Sequence, residues 1–377
     1  MNRILFLTRS TKDFYTQRKD YDHVIDRLLE EKYIVDIYDI KQRKFMQTNT
    51  RELYIIGIQV LSNFLSKYPL PLIVYNFACF IYFLVNKRNA YSVTHILYLR
   101  EEYLLVPRII KNTCRDLVIS IYGSDINEQS LIKKLFKKIY ALCSTVIVTN
   151  EDFRDKIVAK VGSGIERKIT TLMIPQPHAD LYKNIRYGQK GRFKEKLGIP
   201  SDKIIITIGT NINENEQHEQ IFDALKHDPN LENYHLIIPL TSKITDSGRK
   251  KQLVSLISKL ISSDQCSILS GFLPDEVMRD YRFASDIFIN LRKYDQLALS
   301  MIESIAAYNC VITGSWLDYR HLSNNVSLQE IEEINQLPSE INRCLESMNK
   351  KVLKKNKNYV LKSVLVDNVD EWLNVYR

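Results

Sequence analysis

The sequence has no Walker A loop, no H-E-x-x-H, no G-x-S-x-G elbow and no cluster of zinc ligands. P-loop nucleotide hydrolysis, zincin chemistry and α/β-hydrolase chemistry are therefore excluded as readings. Its six cysteines, at 79, 114, 143, 266, 310 and 344, form no C-x-x-C pair. They read as reduced, mostly buried thiols of a cytoplasmic protein. Glycine and proline are scarce, 11 and 10 among 377 residues, and no low-complexity segment appears. Collagenous and disordered compositions are excluded on that ground. The first apolar run, within MNRILFLTRS, is too short for a signal-peptide core and reads as a strand. The turn after it, Thr8-Arg9-Ser10, lacks the G-x-G-x-x-G of a dinucleotide site.

What is present is ordinary globular material, 45% hydrophobic and 26% charged, in a chain long enough for two domains. The net charge is +9, which favours nucleic acid, anionic lipid or phosphorylated ligands. No known nucleic-acid module interleaves its aromatic and basic residues, so no nucleic-acid partner is expected. The densest basic cluster is Lys133, Lys134, Lys137 and Lys138, alternating with Leu131, Leu135, Phe136, Ile139 and Tyr140. That pattern is an amphipathic basic helix. It fits either an anionic membrane surface or a solvated face. The uncharged run 69–85 is interrupted by Pro69, Pro71 and Asn76 and sits at the lower limit for a spanning helix. A buried or interfacial helix is the preferred reading.

Short apolar runs alternate with helical spacing along the whole chain. RILFLT at 3–8, helical spacing over 21–32 and YIVDIY at 33–38 give β-α-β. Runs at 94–99, 116–123, 144–150 and 170–177 continue it. A polar, lysine-rich stretch, 178–202, reads as the interdomain linker. A second alternation follows, with strands at 203–210, 234–241, 266–271, 286–291 and 310–314. The expected fold is α/β, two Rossmann-like domains facing each other across a cleft. They are 1–185 and 186–325, with helices over 326–377 that include Trp372 and cross back to the first domain. Ligands of such sheets bind beyond the carboxyl ends of strands. This singles out Gly123-Ser124-Asp125, Gly209-Thr210-Asn211, Thr241, Ser270-Gly271 and the segment Arg292 to Glu303.

Within DQLALSMIE, Asp295 and Glu303 stand at D-x7-E. This resembles the E-x7-E pattern of many GT-B glycosyltransferases, with Asp in place of the first Glu. A capped surface helix is the plain alternative. The loop would approach a nucleotide-sugar. The helix N-terminus, with Ser300, would hold a phosphate, and Glu303 would accept from ribose hydroxyls. The same family usually places an Arg and a Lys in the turn after the donor-domain first strand. Here neither occurs between Gly209 and His218.

A closer resemblance is to the bacterial TDP-N-acetylfucosamine:lipid II N-acetylfucosaminyltransferase family. Its corresponding turn runs G-N-S, a polar stretch, then N-x-H before a helix. Gly209, Thr210, Asn211, Asn215 or Gln217, and His218 fill that pattern. IIPLT, ILSGFLP and DIFINLR followed by YDQLALSM continue it, with Arg292 and Gln296 on its R-Q-Q turn. It covers about 203–320, and YGSDIN at 122–127 is similar to its W-G-A-D stretch.

The resemblance implies transfer of a hexose-type residue from a UDP- or TDP-sugar to a glycan or lipid-linked acceptor. The setting would be bacterial surface polysaccharide or a similar glycoconjugate, on the cytoplasmic side of the cell membrane. It also tilts the outcome to inversion. Arg292 and Lys293 are then the diphosphate cations or a surface pair. His218 is a phosphate ligand or a helix cap. Asp125 is the base that deprotonates the acceptor, or an N-cap, with Glu101, Glu102 and Glu128 as rivals. Asp20-Tyr21-Asp22 spells D-x-D but reads as helix capping. No metal and no cofactor are expected, because cations and helix N-termini would meet the leaving-group charge. The missing Arg/Lys pair keeps a second reading open, a catalytically inactive accessory or partner-binding subunit.

Overall fold

The computed structural model describes residues 2–8, 19–40, 43–47, 52–55, 69–99, 101–122, 133–241, 247–271, 273–295, 297–347 and 349–377. It divides into two compact units, Met1–Pro175 with Asn368–Arg377, and Gln176–Asp367.

The first unit runs β1 (Arg3–Thr8), α1 (Lys19–Glu30), β2 (Ile34–Asp39), β3 (Lys44–Gln47), β4 (Glu52–Ile55), α2 (Pro69–Asn86), β5 (Tyr91–Ile96), α3 (Glu101–Leu105), α4 (Pro107–Lys111), β6 (Cys114–Ser120), α5 (Lys133–Leu142), β7 (Thr145–Val148), α6 (Glu151–Val161) and β8 (Ile169–Thr171). The sheet order is β4-β3-β2-β1-β5-β6-β7-β8. Strands β2, β1, β5, β6, β7 and β8 are parallel neighbours, and β3 and β4 add an antiparallel edge that the sequence pattern did not predict.

Strand β1 shows why this sheet needs helices on both faces. Ile4, Leu5, Phe6 and Leu7 are all fully buried. Side chains alternate along a strand. Accordingly Leu5 and Leu7 pack with α2 to α6, whereas Ile4 and Phe6 pack with α1 and the terminal helix Val369–Tyr376. Trp372 on that terminal helix is fully buried. It meets Tyr21 edge-on at 5.5 Å and donates from Nε1 to the Met173 carbonyl at 2.7 Å. Asp20 and Asp22 lie inside the first turn of α1 rather than ahead of it.

The second unit runs α7 (Asp180–Lys183), α8 (Lys190–Lys196), β9 (Ile204–Ile208), α9 (His218–Leu225), β10 (Tyr234–Leu240), α10 (Ser247–Leu260), β11 (Cys266–Ser270), α11 (Asp275–Ala284), β12 (Ile287–Asn290), α12 (Leu299–Ala306), β13 (Cys310–Gly314), α13 (Arg320–Ser323), β14 (Gln329–Ile331), α14 (Leu337–Ser347) and α15 (Lys350–Ser363). Its sheet, β11-β10-β9-β12-β13-β14, is parallel throughout. Continuous apolar strands such as IIITI suit a sheet covered on both faces. The order reverses between β9 and β12, the topological switch point where doubly wound sheets bind ligands.

Two sequence expectations change here. The stretch 178–202 is not a linker but an integral part of the second unit. The Lys190 ammonium is buried against the Ser285 carbonyl and lies 3.5 Å from Asp286, while Lys194 pairs with Asp286 at 2.9 Å and Lys196 with Asp280 at 2.5 Å. Counting lysines as solvent-seeking hid this, because their stems pack and their heads find acids. The boundary accordingly falls after Pro175 rather than after residue 185. Of 326–377, only Asn368–Arg377 belongs to the first unit. Helix α15 stays with the second because Lys357 donates to the Tyr182 and Ile185 carbonyls at 2.6 and 2.7 Å.

Candidate functional site

Strands β9 and β12 end side by side, with Ile208 opposite Ile289. The chain leaves β9 at Gly209, whose φ is 63° and whose N–H donates to the Ile289 carbonyl at 3.1 Å. A Cβ there would lie 2.8 Å from Glu216 Oε2 and 2.9 Å from His218 Cε1, so the position requires glycine on two counts. The next residues are pinned from the side. Asn211 bridges Thr241, and Thr241 Oγ1 donates to the Thr210 carbonyl at 2.7 Å.

His218 is fully buried and donates from Nε2 to the Asn211 carbonyl at 2.7 Å. Burial lowers its pKa, so the ring is neutral near pH 7. It is therefore not the helix cap that the sequence offered as one alternative. The N-cap is Gln217, at φ 56°, whose amide donates to the Leu291 carbonyl at 2.7 Å. The imidazole braces the Gly209–Asn211 turn from beneath.

The centre of the arrangement is an acid absent from the sequence reading. Glu216, only 2% exposed, accepts from Thr210 Oγ1 at 2.6 Å, Asn211 Nδ2 at 2.9 Å and Arg292 Nη2 at 2.8 Å, all on Oε1. Arg292 leaves the end of β12, also donates to Thr210 Oγ1 at 2.6 Å, and reaches Asp295 Oδ1 at 3.2 Å. Burial opposes its charge, but Glu216 and then Asp295 outweigh that and raise its pKa. Asp295 Oδ2 accepts from the Tyr319 hydroxyl at 2.5 Å, which itself accepts from Asn290 Nδ2 at 3.0 Å. Burial and then Asp295 hold the Tyr319 hydroxyl protonated, its pKa well above the usual phenol value. Lys293 is exposed beside this network, and its backbone N–H donates to the Asn215 carbonyl at 2.9 Å.

A second cluster forms behind α12. Glu303 accepts from His178 Nε2 at 2.6 Å and pairs with Arg282 at 2.5 Å, one carboxylate oxygen to each. Burial would raise its pKa, yet Arg282 and then His178 leave it lowered. The Ser300 carbonyl accepts from Arg282 Nη1 at 3.1 Å and from Ser304 Oγ at 2.7 Å. Residues 301–306 of α12 are buried, and its N-cap, Ala298, offers no side-chain cap. The D-x7-E pair is thus not a capped surface helix. Asp295 precedes the helix and is tied to Arg292 and Tyr319.

The structure gathers Gly209, Thr210, Asn211, His218, Thr241, Arg292 and Asp295 into one network at the switch point. Ser300 and Glu303 belong to the Arg282 cluster. Asp125, with its neighbours Gly123 and Ser124 and its rival Glu128, lies outside the described residues, and so does Gln296. Glu216, Tyr319, His178 and Arg282 were missed, since each lies far in sequence from the group it serves. Chemically, the site offers a positioned guanidinium compensated by two carboxylates. It also offers the N–H groups of Leu299 and Ser300 at the start of α12, ahead of Met301, whose own N–H donates to the Ala298 carbonyl at 3.0 Å.

Two parallel-sheet units, the second wound about a β9/β12 switch point, are the fold of the GT-B glycosyltransferases. No protein family and no curated protein matches the sequence. Solved structures do match over the whole chain. A glycosyltransferase from Rickettsia africae is 15% identical, with TM-score 0.69, covering 100% of this chain and 98% of that one. Sucrose-phosphate synthase from Thermosynechococcus elongatus is 14% identical, with TM-score 0.73 and coverages of 100% and 98%. Anabaena HepE, solved with UDP-glucose, is 15% identical, with TM-score 0.69 and coverages of 99% and 99%.

Proposed function

We propose that the protein is a glycosyltransferase that moves a hexose-type residue from a nucleotide diphosphate sugar, UDP- or TDP-linked, to a glycan or lipid-linked acceptor. The supporting observation is the network at the switch point of the second unit. There Thr210, Arg292 and Asp295 converge beside the N-terminus of α12, with Glu303 one turn inside it. The solved structures sharing this fold include one holding UDP-glucose. In this reading the second unit binds the donor and the first binds the acceptor. Asp125 deprotonates the acceptor hydroxyl, the outcome is inversion, and no metal or cofactor takes part. The resemblance to the N-acetylfucosaminyltransferase family supports a role in bacterial surface glycoconjugate assembly at the cytoplasmic face of the membrane.

Isothermal calorimetry against UDP and TDP tests the donor assignment. Arg292→Ala is expected to abolish binding. Wild-type affinity in a folded Arg292→Ala protein would overturn the placement. Asp125→Asn is expected to lower turnover with nucleotide binding kept.

One observation favours a second reading, an inactive accessory subunit of the same fold. The Arg292 guanidinium is already compensated by Glu216 and Asp295, and no Arg or Lys stands between Gly209 and His218. Failure of the wild-type chain to bind any nucleotide diphosphate at millimolar concentration would select it.

A further inference from the structure

Helix α2 is apolar on all sides, yet only half of it is covered. Cys79, Phe80, Phe83 and Leu84 are buried against the first sheet. Leu70, Ile73, Val74, Tyr82 and Val85 are each more than half exposed, at 70, 56, 61, 66 and 58%. Leu70, Val74, Tyr82 and Val85, at i, i+4, i+12 and i+15, share one face opposite the buried one, whereas Ile73 stands in register with buried Phe80 and Leu84. A helix apolar all round is normally buried all round. Eighteen residues make a rod about 27 Å long, and no described helix is long and apolar enough to cross a membrane.

The surroundings of the stripe are cationic. Helix α2 packs on α4, and α4 on α5. Neither α2, α4 nor α5 contains an acidic residue; the only acids of the adjoining short helix α3 are Glu101 and Glu102 at its start. Exposed Arg88 follows the C-terminus of α2, and α4 and α5 present exposed Arg108, Lys137 and Lys138. Between α3, α4 and α5 lies a groove of about 450 Å³ with apolar walls, including Leu105, Ile109 and Leu142, and two cations, Arg108 and Lys138. Leu105 at its edge is 61% exposed.

We infer that this face of the first unit docks on an anionic lipid bilayer. The α2 stripe lies in the interface plane with its apolar side chains among the acyl chains. Arg108, Lys137 and Lys138 meet lipid phosphates. The acid-free charge of the three helices selects this occupant over another protein. An apolar stripe beside cations matches the two-layer profile of a phospholipid leaflet. The inference deepens the lipid-linked acceptor reading above and rests on it for its purpose. It adds an insertion element, α2, to the electrostatic attachment expected of the lysine helix alone.

The test is co-sedimentation of the full chain, without nucleotide, with phosphatidylcholine vesicles and with vesicles containing phosphatidylglycerol. Binding to the anionic vesicles only is expected. A fraction should survive at 1 M salt, where screening acts beyond about 3 Å. Leu70→Asp with Val74→Asp should weaken partitioning at least about tenfold at both salt levels, since two apolar contacts with lipid become charged. Lys137→Glu with Lys138→Glu should weaken it at low salt only. Val352→Asp, at an exposed position of α15, is the control that should change nothing, with circular dichroism checking the fold of each variant. Tyr82→Trp should be quenched by lipids brominated in the acyl chain. No binding by the wild-type chain, unchanged binding in the aspartate pair, or a dimer dissolved by that pair without vesicle binding would each overturn the inference. Vesicle binding without UDP or TDP binding would leave it standing and remove the donor assignment. Nucleotide binding without vesicle binding would do the reverse.

Discussion

Replacing Glu303 separates what this carboxylate does for the fold from what it does for a ligand. Glu303 is 8% exposed and holds two cationic or proton-donating partners, His178 at 2.6 Å and Arg282 at 2.5 Å. Arg282 is also buried, so Glu303→Ala strands a guanidinium in a poorly solvated place. Breaking one side of such a pair costs about 3–5 kcal/mol. Much of that is the stranded charge rather than the lost bond. Glu303→Ala with Arg282→Met should therefore be much less destabilised than Glu303→Ala alone. Urea unfolding followed by fluorescence gives both numbers. The pH dependence has a fixed sign. The Glu303 pKa is lowered in the folded state, so its contribution is fully present above the unfolded value, about 4.3, and fades as pH falls through the lower folded value. Arg282→Met should flatten that acid limb. A loss under about 1 kcal/mol for Glu303→Ala, or no recovery in the double variant, would refute the buried-pair reasoning.

Two further outcomes follow from the packing. Gly209→Ala must place a Cβ 2.8 Å from Glu216 and 2.9 Å from His218 at φ 63°. It should cost roughly 1–3 kcal/mol and loosen the Thr210–Glu216–Arg292 network, seen as a lower midpoint of unfolding; a neutral effect would mean that the turn relaxes freely. Trp372→Ala removes a fully buried ring and its bond to the Met173 carbonyl. A loss of about 3–5 kcal/mol is expected, and near-ultraviolet dichroism should report it as melting of the first unit. An unchanged melt would show that the terminal helix contributes nothing to that core.

The fold was legible because a doubly wound sheet writes itself locally. Each buried parallel strand is a short apolar run, as in IIITI and YHLIIPL, and each is followed by helical spacing. What was illegible depended on partners distant in sequence. The edge strands β3 and β4 are short, and KFMQ alone carries no strand signature. The lysines of 190–196 read as a solvated linker because their acids, Asp280 and Asp286, lie in and just after α11. The α2 run left buried and interfacial readings open because one face of the helix is buried and the other is exposed.

The site was half legible for a related reason. Strand ends pointed to Gly209 and Arg292, but charge compensation is a property of pairs. Glu216 sits in a polar turn, NENEQ, that gives no hint of a buried acid. Yet it decides what Arg292 can do. A diphosphate meeting Arg292 must compete with a carboxylate 2.8 Å away and with Asp295 at 3.2 Å. At an effective dielectric of about 20, a unit charge at 4 Å is worth about 4 kcal/mol before desolvation, so the competition is not minor. Glu216→Gln keeps an oxygen for Thr210 and Asn211 but withdraws the negative charge. If Arg292 meets phosphate, this variant should bind UDP or TDP more tightly than wild type by calorimetry, severalfold, with the gain shrinking in salt. If affinity is unchanged or falls in a folded protein, Arg292 is a structural cation. The anion-binding duty at the switch point would then pass to the N-terminus of α12 and exposed Lys293.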